Sequence, residues 1–294
     1  MSEYAFYFFL TVLVFITTKM NWQRTYKQWL KKIIAESPIQ RKTFDVGNVN
    51  GMRMKYPAKF KGSDSAVAFY RINTALANSV IKDSGFEVLE FLPHSAICVV
   101  TCLRYTETSC GPYNEMSFAF FVRPSDSCGS SSNRWRIPYL SNWIDVATCK
   151  ASSYVFFLPV SQSQSVACGQ KMWGFPKILA DIRFSRDEKS ETFCYSLLNA
   201  NGDKQIAFKA NGNGMLRTPI MDNIICSKMD RKMHASILSV SYSGVRVVGS
   251  CCELQIDPDT PEDHVLKRLC FPRECLFSAS MSNFELQMSA PGQI

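Results

Sequence analysis

GQKMWGFPKILADI, residues 169–182, is the stretch on which the fold and chemistry of this chain turn. Lys177 follows Gly174, Phe175 and Pro176 and runs straight into the apolar, strand-like Ile178, Leu179 and Ala180. A lysine fixed by a proline and flanked by Phe175 and Ile178 is a candidate for burial. Burial disfavours the ammonium and lowers the pKa, and a neutral amine attacks carbonyls to form Schiff bases. The other reading is a strand-edge lysine that snorkels to solvent.

Working outward, the neighbouring segments read as short strands. Among them are SAVAFYRI (65–72), SAICVVTCLRY (95–105), EMSFAFFVR (115–123), SSYVFFLPV (152–160) and ILADIRFS (178–185). ETFCYSLL (191–198), KQIAFKA (204–210), ASILSVSYSG (235–244) and VRVVGSCCELQI (245–256) continue the series. Many alternate apolar with polar residues, the mark of half-buried antiparallel strands. Residues 195–206 read as a hairpin turning at Asn201 and Gly202. Helical periodicity is sparse. Its best case is TALANSVIKDSGF (74–86), with Gly85 as its C-cap. Many strands, few helices and no βαβ alternation predict a mainly β fold, a closed barrel or sandwich.

The 169–182 stretch resembles the active-lysine motif of the acetoacetate decarboxylase family, in which a Gly-x-Pro-Lys run carries the Schiff-base lysine. GPYNEM, Gly111 to Met116, resembles the family's Tyr-x-Glu segment. ELQIDPDTPEDHVLKRL, Glu253 to Leu269, resembles its closing strand and Pro-rich loop. Together they span roughly residues 55–290 in the right order. The resemblance implies a β-barrel with a few flanking helices and a catalytic pair of Lys177 and Glu115. It also implies a keto acid substrate and a homo-oligomer. Three family partners fall elsewhere. The second lysine becomes Ile178, a second glutamate lands on Val100 in an ungapped count, and an arginine falls near Ser63 and Asp64. Acetoacetate itself is therefore a doubtful substrate.

From these residues two functions are expected. One is a Schiff-base lyase that decarboxylates a β-keto acid or performs a related carbon–carbon or dehydration step, in secondary or lipid metabolism. Lys177 would form the iminium and Glu115 would orient the substrate or move a proton. Tyr113 and Trp173 would line the cavity, and Arg183 would replace the missing cation. No cofactor is expected. The alternative is a non-catalytic, membrane-tethered protein that holds an apolar ligand in the barrel.

The chain has 294 residues, 46% of them hydrophobic, ample for a core. Its net charge of +8 is concentrated in the N-terminal region. No nucleic-acid recognition motif accompanies it, and a juxtamembrane basic cluster explains it better. Residues 4–18 (YAFYFFLTVLVFITT) form one uncharged apolar run, short of a full span unless Met20 and Trp22 join it. Residues 21–37 follow with an amphipathic basic pattern. Residues 1–35 thus read as a membrane anchor with a hydrophobic helix, 36–64 as a connector and 65–294 as the barrel domain. The flanking charges place that domain in the cytoplasm, where the twelve cysteines would be reduced thiols. The Ser/Gly-rich stretch 125–136 reads as an exposed loop carrying Arg134, Trp135 and Arg136. His94, His234 and His264 lack metal-ligand spacing and no Cys-x-x-Cys occurs, so no zinc site is expected. Phosphate-binding and serine-hydrolase motifs are absent as well.

Overall fold

The computed structural model describes residues 44–49, 51–125, 139–147, 151–212, 214–218, 220–248, 252–272 and 275–294. A hairpin of β1 (Phe44–Val49) and β2 (Met52–Tyr56) leads into the long β3 (Ala58–Asn73), helix α1 (Thr74–Ile81) and the short β4 (Phe86–Val88). Next come β5 (Ser95–Thr108), β6 (Tyr113–Pro124), α2 (Leu140–Ala147), β7 (Ser152–Val160), α3 (Ser163–Trp173) and β8 (Lys177–Leu179). Then follow β9 (Ile182–Asp187), β10 (Thr192–Leu198), β11 (Lys204–Asn211), β12 (Leu216–Arg217) and β13 (Met221–Met229). The chain ends with β14 (Lys232–Val248), β15 (Cys252–Ile256), α4 (Val265–Arg268), β16 (Phe277–Met288) and β17 (Gly292–Gln293).

Strands β6, β5, β3, β16, β14, β13 and β7 are hydrogen-bonded in that order, and β7 pairs back with β6, closing a seven-stranded barrel. Its pairs are antiparallel except β7 with β13. The pleat sends alternate residues to opposite sides of the wall. On β5, Val99, Thr101, Leu103 and Tyr105 line the lumen, while Cys98, Val100 and Cys102 are fully buried on the outer side. A four-stranded sheet, β15-β11-β10-β9, covers that outer side and contributes Phe193, Tyr195 and Phe208 to the main core. Each such aromatic contributes about 1.5–3 kcal/mol by leaving water. Asp64 stitches the two layers together. Its carboxylate accepts from Arg104 at 3.4 Å and from Arg186 of the covering sheet, and its carbonyl accepts from Tyr195 Oη at 2.6 Å.

Several expectations change. The connector read at 36–64 is strand from Phe44 onward, and β3 already belongs to the barrel at Ala58. Its polar residues fooled the pattern because β1 and β2 pair only with each other and leave one face to solvent. The helix at 74–86 stops at Ile81, capped by Lys82. Gly85, at φ +86°, instead turns the chain into β4. Residues 235–248 form one strand where two were read, because β14 continues through Gly244 and pairs with β16 in one register on both sides of it. The proposed anchor at 1–35 and the loop arginines Arg134 and Arg136 lie outside the described residues. No described helix is long and apolar enough to cross a membrane. No disulfide joins any two of the nine cysteines among the described residues. Cys98 and Cys102 pack in the core.

Candidate functional site

Four elements converge on the lumen. Tyr113 and Glu115 lie two apart on β6 and so share a face. Both line the cavity together with Tyr105 of β5. Lys177 opens β8, which runs parallel to β7 with Lys177 opposite Leu158. Helix α3 is the missing fourth element of the sequence reading. Gln162 caps its start by accepting from the amides of Gln164 and Ser165, and its Nε2 donates to Cys110 O at 2.6 Å. Gly174, at φ +67°, ends it in a left-handed turn, with its amide donating to Gln170 O and the Phe175 amide to Gly169 O. The bond from the Gly174 amide to Gln170 O is that of the αL cap, which favours glycine. Trp173 Nε1 donates to Ser289 O at 2.8 Å and Tyr56 Oη donates to Met172 O at 2.8 Å, pinning the helix to the barrel.

This turn feeds Lys177 under the helix and into the lumen. A Cβ on Gly169 would meet Lys177 Cδ at 2.5 Å, so the missing side chain of Gly169 makes room for the lysine stem. Lys177 is 8% exposed and Glu115 6%. Nζ donates to Glu115 Oε2 at 2.8 Å, to Ser165 Oγ at 2.9 Å and to Tyr113 Oη at 3.4 Å. Three donors of an ammonium meet three acceptors. Tyr105 Oη donates to the other carboxylate oxygen, Oε1, at 3.2 Å. The Tyr113 ring centroid lies 5.1 Å from Nζ.

Burial is the largest single influence on Lys177 and pulls its pKa down. The Glu115 charge, Tyr113 and the hydrogen bonds from both together outweigh it. The net effect holds the amine well above its ordinary value and keeps it charged at rest. The neutral amine expected from burial alone is thus corrected: the lysine is buried, but its carboxylate partner is buried with it. Burial also pushes the Tyr113 and Tyr105 hydroxyls up, Tyr105 further through its Glu115 neighbour. The Cys110 thiol is pushed up to about 12, by burial and then by Cys168 beside it.

The cavity holds about 200 Å³ and its walls are mostly apolar, with Leu238, Val240, Phe284 and Leu286 opposite the lysine. Trp173 lines it and also packs against Tyr56 and Phe175. Arg183 does not reach it. On β9 the alternation buries Ile182 and turns Arg183 to solvent, 69% exposed and 3.4 Å from Asp181. Ile178 is half exposed outside the cavity, Val100 faces the core, and Asp64 is engaged with arginines at the sheet junction. Ser165 was not anticipated. Its only sequence signal is its position three residues after the capping Gln162, in a helix too polar to show an apolar stripe.

A family model described as acetoacetate decarboxylase (ADC) matches residues 49–207, more than half of the chain. Among solved structures the chain is similar to the enduracididine biosynthesis enzyme MppR, complexed with the condensation product of pyruvate and imidazole 4-carboxaldehyde. The identity is 13%, the TM-score 0.53, and the match covers 81% of this chain and 89% of the other. It is also similar to an acetoacetate decarboxylase at 14% identity and TM-score 0.52, covering 81% and 89%. The acetoacetate decarboxylase of Legionella pneumophila gives 13% identity and TM-score 0.52, covering 81% and 87%. No curated protein sequence matches.

Proposed function

The chain belongs to the acetoacetate decarboxylase family, and from that premise we propose that it is a Schiff-base-forming lyase acting on a small β-keto or β-hydroxy carbonyl compound through Lys177. The observation that carries the reading is the buried Lys177–Glu115 pair, 2.8 Å apart in an apolar lumen. At rest the pair stores the proton on nitrogen. A carbonyl compound that fills the lumen displaces water, and drier surroundings penalise both charges of the pair. The proton then passes from Nζ to Oε2 along the existing hydrogen bond, leaving a neutral amine and a carboxylic acid.

The amine adds to the carbonyl carbon. Glu115 returns its proton to the carbinolamine hydroxyl, which leaves as water, and the product is a protonated iminium beside a carboxylate. The iminium withdraws an electron pair from a bond one carbon away, forming an enamine. Carbon dioxide leaving a β-keto acid and an aldehyde leaving an aldol both satisfy that demand. Ser165 and Tyr113 hold Nζ in place, and Tyr105 holds Glu115.

Reductive trapping tests this. Protein treated with small ketones and sodium borohydride should gain one reduced adduct per chain at Lys177, absent in Lys177→Met. No adduct from folded protein with any ketone would sink the reading. A second reading, an apolar-ligand carrier without catalysis, is favoured by the ion pair that holds the amine charged. Binding of ketones without trapping would decide for it.

Self-association and a cytoplasm-facing membrane anchor belong to the same proposal. Ile178 and Leu179 on β8 expose apolar surface that suits a second copy, and the charges flanking residues 4–18 suit the orientation. Sedimentation of the purified chain tests the first, and protease protection in sealed vesicles the second.

A further inference from the structure

We propose that the carbonyl substrate of this site carries no carboxylate, so that the iminium drives loss of a neutral fragment, an aldehyde or water, rather than carbon dioxide. The proposal rests on the Schiff-base reading above and deepens it.

The inference comes from the charges of the lumen. Among the described residues that line it, Lys177 and Glu115 are the only ionised side chains, and they cancel. The remaining polar groups are neutral hydroxyls and thiols, including Tyr105, Tyr242, Thr101 and Ser117. The nearby cations are held elsewhere. Arg104 pairs with Asp64 and lies over the Phe184 ring at 4.5 Å. Arg183 pairs with Asp181 in solvent, and Lys61 with Glu107.

Iminium formation conserves charge. Ammonium, carboxylate and a neutral ketone become iminium, carboxylate and water, and the lumen stays neutral. The same step with a β-keto acid leaves one cation facing two carboxylates. That negative charge is buried with no partner unless a proton is drawn from solution, and an unpaired buried charge is strongly disfavoured.

A neutral substrate gives Glu115 a complete role. For a β-hydroxy ketone, the carboxylate accepts the hydroxyl proton while the bond between the α and β carbons breaks. Its electron pair enters the enamine and an aldehyde leaves. In dehydration, the carboxylate takes the α-proton, and the β-hydroxyl then departs with its electron pair after protonation by Glu115. After the cleavage Glu115 returns its proton to the enamine α-carbon, which restores an iminium, and in either case the iminium is finally hydrolysed by water. Size sets a further limit. A cavity of about 150 Å³ accepts benzene, so one of about 200 Å³ accepts roughly eight to ten non-hydrogen atoms.

3-Oxohexanoate and 3-oxohexanamide match that size and differ in charge but hardly in shape. The full chain is incubated with each and sodium cyanoborohydride near neutral pH. The initial rate of adduct at Lys177 is followed by peptide mass, and carbon dioxide release in parallel. The amide should be trapped about a hundredfold faster than the acid, with no enzymatic carbon dioxide. Equal trapping of the acid, or carbon dioxide release abolished by Lys177→Met, overturns the inference and leaves the Schiff base standing. Failure of both compounds to add overturns the Schiff-base reading and this inference with it.

Discussion

Gly169→Ala separates stability from chemistry in this protein. The residue lies in the interior of α3, where alanine is favoured over glycine by about 1 kcal/mol. The new methyl, however, would sit 2.5 Å from Lys177 Cδ, 2.8 Å from Cε and 3.1 Å from Cγ. Ordinary carbon contacts lie at about 3.5–4.0 Å, so the lysine stem must retreat by about 1 Å. Overpacking of that kind costs about 1–3 kcal/mol, which the helix gain partly offsets. The amine fares worse. Nζ is fixed by bonds of 2.8 and 2.9 Å to Glu115 and Ser165, and a shift of about 1 Å carries it out of line with both. Misplacement on that scale costs about a hundredfold in rate. The expected result is a urea midpoint near that of the wild type beside a reductive-trapping rate about a hundredfold lower. Wild-type trapping in the folded variant would refute the claim that α3 positions the lysine.

Lys177→Met leaves Glu115 buried without its cation and should cost about 3 kcal/mol or more in urea unfolding at neutral pH. Adding Glu115→Gln should recover most of that loss, and a double variant no more stable than the single one would contradict the pairing. The pH dependence has a definite sign. The folded-state pKa of Lys177 is raised, so its stabilisation is fully present below the ordinary value of 10.5 and is lost as pH rises through the higher folded value. The stability difference between wild type and the double variant should therefore be flat from about pH 7 to 9 and shrink only above about 10.5. A difference that shrinks between pH 7 and 9 would contradict it. Thiol labelling should distinguish Cys270, which is exposed, from Cys110, whose thiol burial holds up to about 12. Iodoacetamide at mildly alkaline pH should reach Cys270 first, as read by peptide mass, and early labelling of Cys110 would mean the lumen is more open than described. Gly174→Ala puts a side chain into a left-handed residue and against Lys228 O, and should destabilise by about 2 kcal/mol or more in the same unfolding assay.

Much of this was legible in the residues, and the gaps have physical causes. Strand β7 was read at its observed limits because SSYVFFLPV is rich in β-branched and aromatic residues. Lys177 stood out as an ionisable residue beside an apolar run, and Glu115 through the resemblance of GPYNEM to the family's Tyr-x-Glu segment. Helix α3 did not, because only a few of its residues face the barrel, and its polar side chains mask the period. Ser165 was hidden with it. Its role depends on a helix crossing the lumen, which no local pattern reveals. Arg183 looked close to the lysine in sequence, but the chain passes from β8 to β9 between them and so from the barrel to the covering sheet. The charge state of Lys177 was out of reach for the same reason. Glu115 lies 62 residues away and meets it only once the barrel closes through the β6–β7 pair.

The central claim is that Lys177 forms and hydrolyses an iminium. The direct measurement is loss of carbonyl oxygen-18 from a labelled small ketone into ordinary water, followed by mass spectrometry without any reductant. The wild-type chain should accelerate that exchange well above the rate in buffer, and Lys177→Met should return it to the buffer rate. Exchange no faster with wild-type protein than with the variant would contradict the account.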